Sequence, residues 1–253
     1  MTGDALLAVS GIAKRFGGVQ AVADVSLTIR RGESLGLIGP NGAGKSTVLS
    51  MIAGALAPDS GSIRFDGEDI AGMPSHKVGR RGLIRTFQLS SEFPRLTVLQ
   101  NLLVAQPGQR GEELRGLLRG RRSWQADESA AVTRARELLT RFRLAEMESE
   151  YAGNLSGGQR RLLEVARALM AEPKMLLLDE PTAGVHPRMV GELREQLRSL
   201  RDEGMTVLMV EHELGIVEEV CQRVVVMARG RVIADGGLAE VRALPEVVEA
   251  YVA

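Results

Sequence analysis

The sequence predicts an α/β fold: a core with a parallel sheet, an antiparallel β subdomain ahead of it, and an all-helical subdomain inserted into it. Three stretches carry that prediction. Gly39-Pro40-Asn41-Gly42-Ala43-Gly44-Lys45-Ser46-Thr47 fits the pattern G-x-x-x-x-G-K-S/T. It joins a short apolar run, Glu33 to Ile38, to a stretch from Lys45 to Ala53 whose Val48, Leu49 and Ile52 fall at helical spacing. Lys174 to Asp179 is a continuous apolar run bounded by Pro173 and Pro181, as expected of a central parallel strand. Between Gln88 and about Met175 strand signals stop altogether. The core is therefore expected over 1–88 and 166–253 and the helical subdomain over 89–165, all within a single domain of residues 1–253.

The bulk properties bound the function. At 253 residues, 44% of them hydrophobic, the chain is long enough for one large domain with a sizeable insertion. Its 32 basic and 32 acidic side chains cancel, so no global field points to nucleic acid or to an anionic membrane. No apolar run approaches the ~20 residues that span a bilayer. The N-terminus lacks the basic-then-hydrophobic order of a signal peptide. Cys221 is the only cysteine, which excludes an intrachain disulfide and fits a reducing cytoplasm. Among Val220, Val224 and Val225 it reads as a small core residue rather than a reactive thiol.

In chain order, Leu6 to Ile12 alternates loosely and meets Lys14-Arg15-Phe16-Gly17-Gly18; Val19 to Ile29 then alternates with Val25, Leu27 and Ile29 on one face. This is an antiparallel strand pair. Phe16 at its turn either stacks on an adenine ring or caps the apolar face of the hairpin, and spacing alone leaves both open. After the first helix, Ala57-Pro58-Asp59-Ser60-Gly61-Ser62 has strong turn chemistry. Ile63 to Asp66 is a short strand, Ser75 to Arg81 a short basic helix, and Leu83 to Gln88 a strand ending in a polar residue.

Thr97 is placed to cap a helix reaching Ala105, with Val98, Leu102 and Ala105 at helical spacing. Pro107 to Gln125 is rich in Gly and Arg. Its Arg115–Arg122 cluster either binds phosphates or forms a solvated loop face, the latter being the simpler reading. Ala126 to Arg143 is a long helix with Ala131, Ala135, Leu138, Leu139 and Phe142 inward, and Gly157 to Ala171 another. The α/β pattern then returns: helix Met189–Arg201, strand Thr206–Val210, helix Leu214–Cys221, a hairpin of Val224–Ala228 and Val232–Ala234, and short helices Leu238–Ala243 and Pro245–Tyr251.

Three stations carry chemistry. In the glycine-rich loop, Gly39, Gly42 and Gly44 free the backbone so that successive N–H groups curl around an anion, helped by the positive end of the helix. Lys45 puts a cation on the β/γ-phosphates of a nucleoside triphosphate, and the Ser46 hydroxyl ligates Mg²⁺. Asp179 and Glu180 stand at the carboxyl end of a buried strand, where ligands gather in open α/β sheets. Asp179 is expected to hold Mg²⁺ opposite Ser46, and Glu180 to polarise an attacking water. Leu155-Ser156-Gly157-Gly158-Gln159 opens a helix with a serine and two glycines, a second anion site in the same chain. One triphosphate needs one such loop, so the second points to a site shared between two subunits.

With these residues on the page, the chain resembles the nucleotide-binding subunits of ABC transporters, and the resemblance spans essentially its whole length. Leu155–Gln159 matches the family signature in full, Gly39–Thr47 its Walker A motif, and Met175–Glu180 its Walker B motif with the catalytic glutamate. Gln88 in Thr86-Phe87-Gln88 is similar to the family glutamine that reaches the metal and faces the membrane partner. His212 in Val210-Glu211-His212 is similar to the histidine that contacts the γ-phosphate, and Phe16 to the aromatic on adenine, where the family more often has Tyr.

The resemblance implies a RecA-like P-loop NTPase core that uses ATP and Mg²⁺, a second ATPase subunit (a homodimer or a paralogue), transmembrane permease subunits, and a substrate-binding protein reached indirectly. It implies no nucleic acid partner, and a place on the cytoplasmic face of the membrane through the permease. Gln88 to Leu96 is expected to form the permease dock. One station departs: the family's Ser-Ala-Leu-Asp reads here Ala183-Gly184-Val185-His186, without the carboxylate that crosses the dimer interface.

Arg15-Phe16-Gly17-Gly18, Arg85-Thr86-Phe87-Gln88 and Phe93-Pro94-Arg95-Leu96-Thr97-Val98 are most similar to the longer ATPase subunit of branched-chain amino acid importers. Related urea and amide importers share the pattern. Two other readings compete: a soluble ABC ATPase of DNA repair, translation or cluster assembly, and the ATPase of a lipopolysaccharide or other export complex. The first lacks the long coiled coil or the tandem domains it would need. Neighbouring permease genes and co-purification from membranes discriminate the rest.

Overall fold

The structure, a computed structural model, describes residues 5–86, 93–107 and 121–252, apart from the side chains of residues 121–127 and 252. The chain divides into two compact units, one of residues 1–88, 174–183 and 194–253, the other of residues 89–173 and 184–193.

In the first unit, β1 (Ala5–Phe16) and β2 (Val19–Arg30) form the expected antiparallel pair. Strand β3 (Ser34–Ile38) is buried at all five positions and leads through the glycine-rich loop into α1 (Lys45–Ile52). Next come β4 (Ser60–Phe65), β5 (Glu68–Asp69), α2 (Ser75–Arg80) and β6 (Leu83–Arg85). The N-terminal pair is thereby extended into a four-stranded antiparallel sheet, β2-β1-β4-β5. The strand expected to reach Gln88 ends at Arg85; Thr86 still donates its N–H to the Leu177 carbonyl at 2.9 Å, and Gln88 itself lies outside the described residues.

The second unit holds α3 (Val98–Leu103), α4 (Arg121–Arg141) and α5 (Gly157–Met170), which pack pairwise on one another. Thr97 caps α3 as the sequence suggests, in a reciprocal capping box with Gln100. Fully buried Asn101 pins the segment before α3: its amide donates to the carbonyls of Phe93, Leu96 and Thr97, and its oxygen accepts from the Phe93 N–H. Helix α4 starts at Arg121, ahead of the expected Ala126, and the part of the arginine cluster from Arg115 to Arg119 lies outside the described residues. The helical unit runs to residue 173, where 165 was expected, because the helix–helix contacts of α5 are made with α3 and α4.

Back in the first unit, β7 (Met175–Asp179) and β8 (Thr206–Val210) are buried at every position, the signature of parallel strands covered on both faces. They are joined by α6 (Pro187–Asp202), and followed by α7 (Leu214–Val220), β9 (Arg223–Ala228), β10 (Arg231–Gly236), α8 (Leu238–Arg242) and α9 (Pro245–Val252). The sheet order is β10-β9-β3-β8-β7-β6, parallel throughout except for the antiparallel edge strand β10. Leu7, Ile29, Leu35, Leu49, Phe65 and Leu177 sit in one buried cluster that spans both sheets. Each such side chain contributes roughly 1.5–3 kcal/mol of burial. Cys221 follows α7 and is partly buried, at the margin of the core in which it was expected; desolvation pushes its thiol up to about 12.

Candidate nucleotide-binding site

Strand register assembles the site. Leu37 of β3 and Asp179 of β7 both pair with Val210 of β8, so three strand ends lie level and the segments beyond them share one edge of the sheet. Beyond β3 comes the glycine-rich loop. Gly39 has φ 143° and Gly44 φ 98°. A Cβ at Gly39 would stand 2.0 Å from the Met227 carbonyl oxygen, and one at Gly44 2.5 Å from that of Ala21. Both positions admit only glycine, for backbone sign and for space.

Helix α1 starts from this loop, so the N–H groups of its first turn have no carbonyl of their own helix to bond. They carry the positive end of the helix dipole. Lys45 is nearly buried and folds back, donating from Nζ to the carbonyls of Gly39 at 2.7 Å and Pro40 at 2.9 Å. Burial lowers its pKa, and Glu180 and Asp179 work against that shift. An anion arriving at the loop offers the ammonium a stronger partner than two neutral carbonyls.

Beyond β7, Asp179 is 1% exposed and its two oxygens differ. Oδ2 accepts from Arg85 Nη2 at 2.6 Å, whereas Oδ1 is buried without a hydrogen-bond partner. Arg85 also donates from Nη1 to Ser50 Oγ at 3.1 Å, and Ser50 donates in turn to the Ser46 carbonyl at 2.7 Å. A chain of polar contacts thus runs from β7 through β6 to α1.

Glu180 leaves the strand with φ 47°, a left-handed conformation that costs a non-glycine residue about 1–2 kcal/mol. Its N–H donates to the Val210 carbonyl at 2.9 Å, and its Oε1 lies 2.9 Å from His212 Nε2. With the carboxylate as acceptor, the imidazole carries its proton on Nε2. Glu211, 3% exposed, ties the backbone at His212 to Thr182, two residues beyond Glu180. Its Oε1 accepts from the N–H and hydroxyl of Thr182, and its Oε2 from the N–H of His212 at 2.9 Å.

The loop, Asp179, Glu180 and His212 therefore come together as the sequence suggests. Phe16, at the β1–β2 turn, is 50% exposed, which leaves half of its surface unpacked. Arg85 and Glu211 had no role assigned from sequence. The available signal was a charged residue in or beside an otherwise apolar strand, which is rarely buried unless paired.

The signature lies in the second unit. Ser156 caps α5 with its own side chain: Oγ accepts from the Gln159 N–H at 3.3 Å, and the Gln159 side chain accepts from the Ser156 N–H at 2.8 Å. Gly158 serves packing, because a Cβ there would stand 2.5 Å from Met189 Cβ. At the departing station, His186 stands before Pro187, the first residue of α6, and its Nδ1 accepts from the Arg188 N–H at 3.3 Å. The histidine thus occupies the helix-cap position that a carboxylate fills well.

The residues fit a magnesium-bound triphosphate. An exposed Ser46 hydroxyl at the start of α1 and the orphaned Asp179 Oδ1 are oxygen donors suited to a hard cation. Among the described residues no cluster of three His, Cys, Asp or Glu is able to hold a metal alone. Among the same residues, no helix is long and apolar enough to cross a membrane.

Comparison with known proteins agrees. Residues 22–183 match the family described as ABC transporter. The chain is 39% identical over 247 residues, 97% of either length, to the high-affinity branched-chain amino acid transport ATP-binding protein BraF of Pseudomonas aeruginosa. Its fold is similar to the ADP conformation of an ATP-binding cassette of an ABC transporter, with a TM-score of 0.83, 36% identity and 98% of both chains covered. It is also similar, at a TM-score of 0.75 and 26% identity over 92% of this chain and 98% of that one, to a bacterial ABC transporter cassette solved as a dimer.

Proposed function

The chain belongs to the ABC transporter family as an ATP-binding, ATP-hydrolysing subunit, and from that premise we propose that it powers an importer of branched-chain amino acids or of related small polar solutes such as urea and amides. The relative named for branched-chain amino acid transport, matched over 97% of both chains, supports that solute class. The subunit meets the solute only through its partners: transmembrane permease subunits, and behind them a substrate-binding protein. It sits on the cytoplasmic face of the membrane through the permease.

The observation that carries the catalytic reading is the Glu180–His212 pair, 2.9 Å apart and braced by Glu211, at the strand edge that also bears the glycine-rich loop. Gly39 to Thr47 cradles the triphosphate through backbone N–H groups, and Lys45 exchanges the carbonyls of Gly39 and Pro40 for β/γ-phosphate oxygens. Ser46, Asp179 and Gln88 would hold Mg²⁺, which would supply positive charge to the phosphates. Glu180 accepts a hydrogen bond from the attacking water and orients it. His212 keeps Glu180 aimed and offers its ring to the γ-phosphate. Phe16 stacks on the adenine. Leu155 to Gln159 completes the nucleotide site of a second subunit, either another copy or a paralogue.

Reconstitution in liposomes with the permeases encoded beside it and their binding protein tests the reading. The expected result is ATP-dependent uptake of leucine, isoleucine or valine, or of urea or an amide, that requires the binding protein. ATP hydrolysis with uptake of none of them overturns the solute assignment. Absence of hydrolysis in the assembled complex overturns the role of the site.

A further inference from the structure

We propose that Arg85 is the positioning residue of the metal site: by holding Oδ2 of Asp179 it presents Oδ1 to the magnesium ion or to a water bound on it. The inference rests on the reading of Ser46 and Asp179 as the metal pair. It starts from an asymmetry in one buried carboxylate, where Oδ2 is 2.6 Å from a guanidinium nitrogen and Oδ1 has no partner at all. An orphaned carboxylate oxygen in a residue 1% exposed is costly unless a ligand takes it up.

The guanidinium is itself fixed. Its side chain is 14% exposed, and its second arm is anchored on Ser50, one turn along α1 from Ser46. Arg85 therefore sets the distance between the two elements that supply the metal's donors, β7 and α1, as well as the rotation of the carboxylate. A lysine reaches one of these anchors with a point charge, not both with a fork. The positive charge of Arg85 opposes a second cation nearby. Orientation wins because a doubly anchored group fixes the ligand before the metal arrives, and outer partners of ligating carboxylates sustain metal affinity by about 10- to 100-fold.

The test reads binding of a fluorescent, non-hydrolysable ATP analogue to the full chain, first without divalent ions and then across a Mg²⁺ titration. Wild type defines the Mg²⁺ midpoint, and Asp179→Asn controls for the metal reading itself. Arg85→Gln is expected to bind the Mg²⁺-free analogue as wild type does, because the glycine-rich loop is untouched, and to raise the Mg²⁺ midpoint by about 10- to 100-fold. Arg85→Lys is expected to fall between. Circular dichroism establishes that each variant is folded, and Arg85→Lys decides the matter if Arg85→Gln is not. An unchanged or lowered midpoint in the folded variant overturns the positioning role while leaving the metal pair intact. If Asp179→Asn titrates like wild type, the metal pair itself is wrong and the role of Arg85 falls with it.

Discussion

At the scale of single residues, what was legible in the sequence was whatever is local. Gly39 to Thr47 and Asp179-Glu180 announce themselves because their chemistry is compressed into a few consecutive positions between a strand and its exit. Arg85 and Glu211 do not, because their partners lie far along the chain: Asp179 is 94 residues from Arg85, and Thr182 is 29 from Glu211. No spacing rule reaches across such gaps. Two predictions belong here. Glu180→Gln keeps the shape of the side chain and loses the carboxylate that polarises water, so nucleotide affinity holds while hydrolysis falls by about 10²- to 10⁴-fold. Isothermal titration and a phosphate-release assay on one preparation separate the two effects; near-normal turnover would assign the water to another group. Phe16→Ala is expected to weaken adenine nucleotides by about 1–3 kcal/mol, the range for aromatic stacking on a base. An unchanged dissociation constant would leave the ring to the packing of its hairpin.

At the scale of elements, periodicity found the strands and helices and misjudged several of their ends. The buried runs β3, β7 and β8 stand within a residue of expectation, because a continuous apolar stretch between prolines or turns has few alternatives. Helix α6 begins two residues before Met189, where the apolar spacing starts, because Pro187 suits a first helical position and His186 supplies a cap. The cap was invisible while His186 was regarded only as a missing carboxylate. It makes a thermal prediction. His186→Ala should destabilise the chain by about 0.5–2 kcal/mol, whereas His186→Asp should match or exceed wild type, since Asp is a stronger cap with a favourable charge at a helix N-terminus. Denaturant melts of the three proteins decide it, and equal midpoints for all of them would remove the capping role.

For the whole molecule, the sequence places a second phosphate-type helix start, Ser156 to Gln159, on the helical insertion, apart from Lys45, and implies that two subunits, copies or paralogues, share each site. The division of the chain into units could be anticipated in outline, while its boundary depended on which helices α5 packs against. Sharing is testable by complementation. Lys45→Ala and Ser156→Arg should each fail to occlude ATP alone, the first for want of a cation, the second because a bulky side chain fills the approach to the γ-phosphate. Mixed, the two variants form dimers with one doubly damaged and one intact site, which should trap a single ATP. Mixed dimers that form and trap none would argue for a site completed within one chain; should the chain pair only with a paralogue, the two substitutions are divided between the partners.

The desolvated thiol of Cys221 has a practical side. With its pKa near 12, the only sulfhydryl in the chain is almost wholly protonated at neutral pH, and maleimides and iodoacetamides react with thiolates. A cysteine introduced at an exposed position such as Asp69, on β5, then becomes the one fast-reacting sulfur per subunit. If two copies pair, dyes or spin labels attached there mark equivalent points on both, and a separation that changes on adding ATP would report closing of the pair in a chain that keeps its native cysteine.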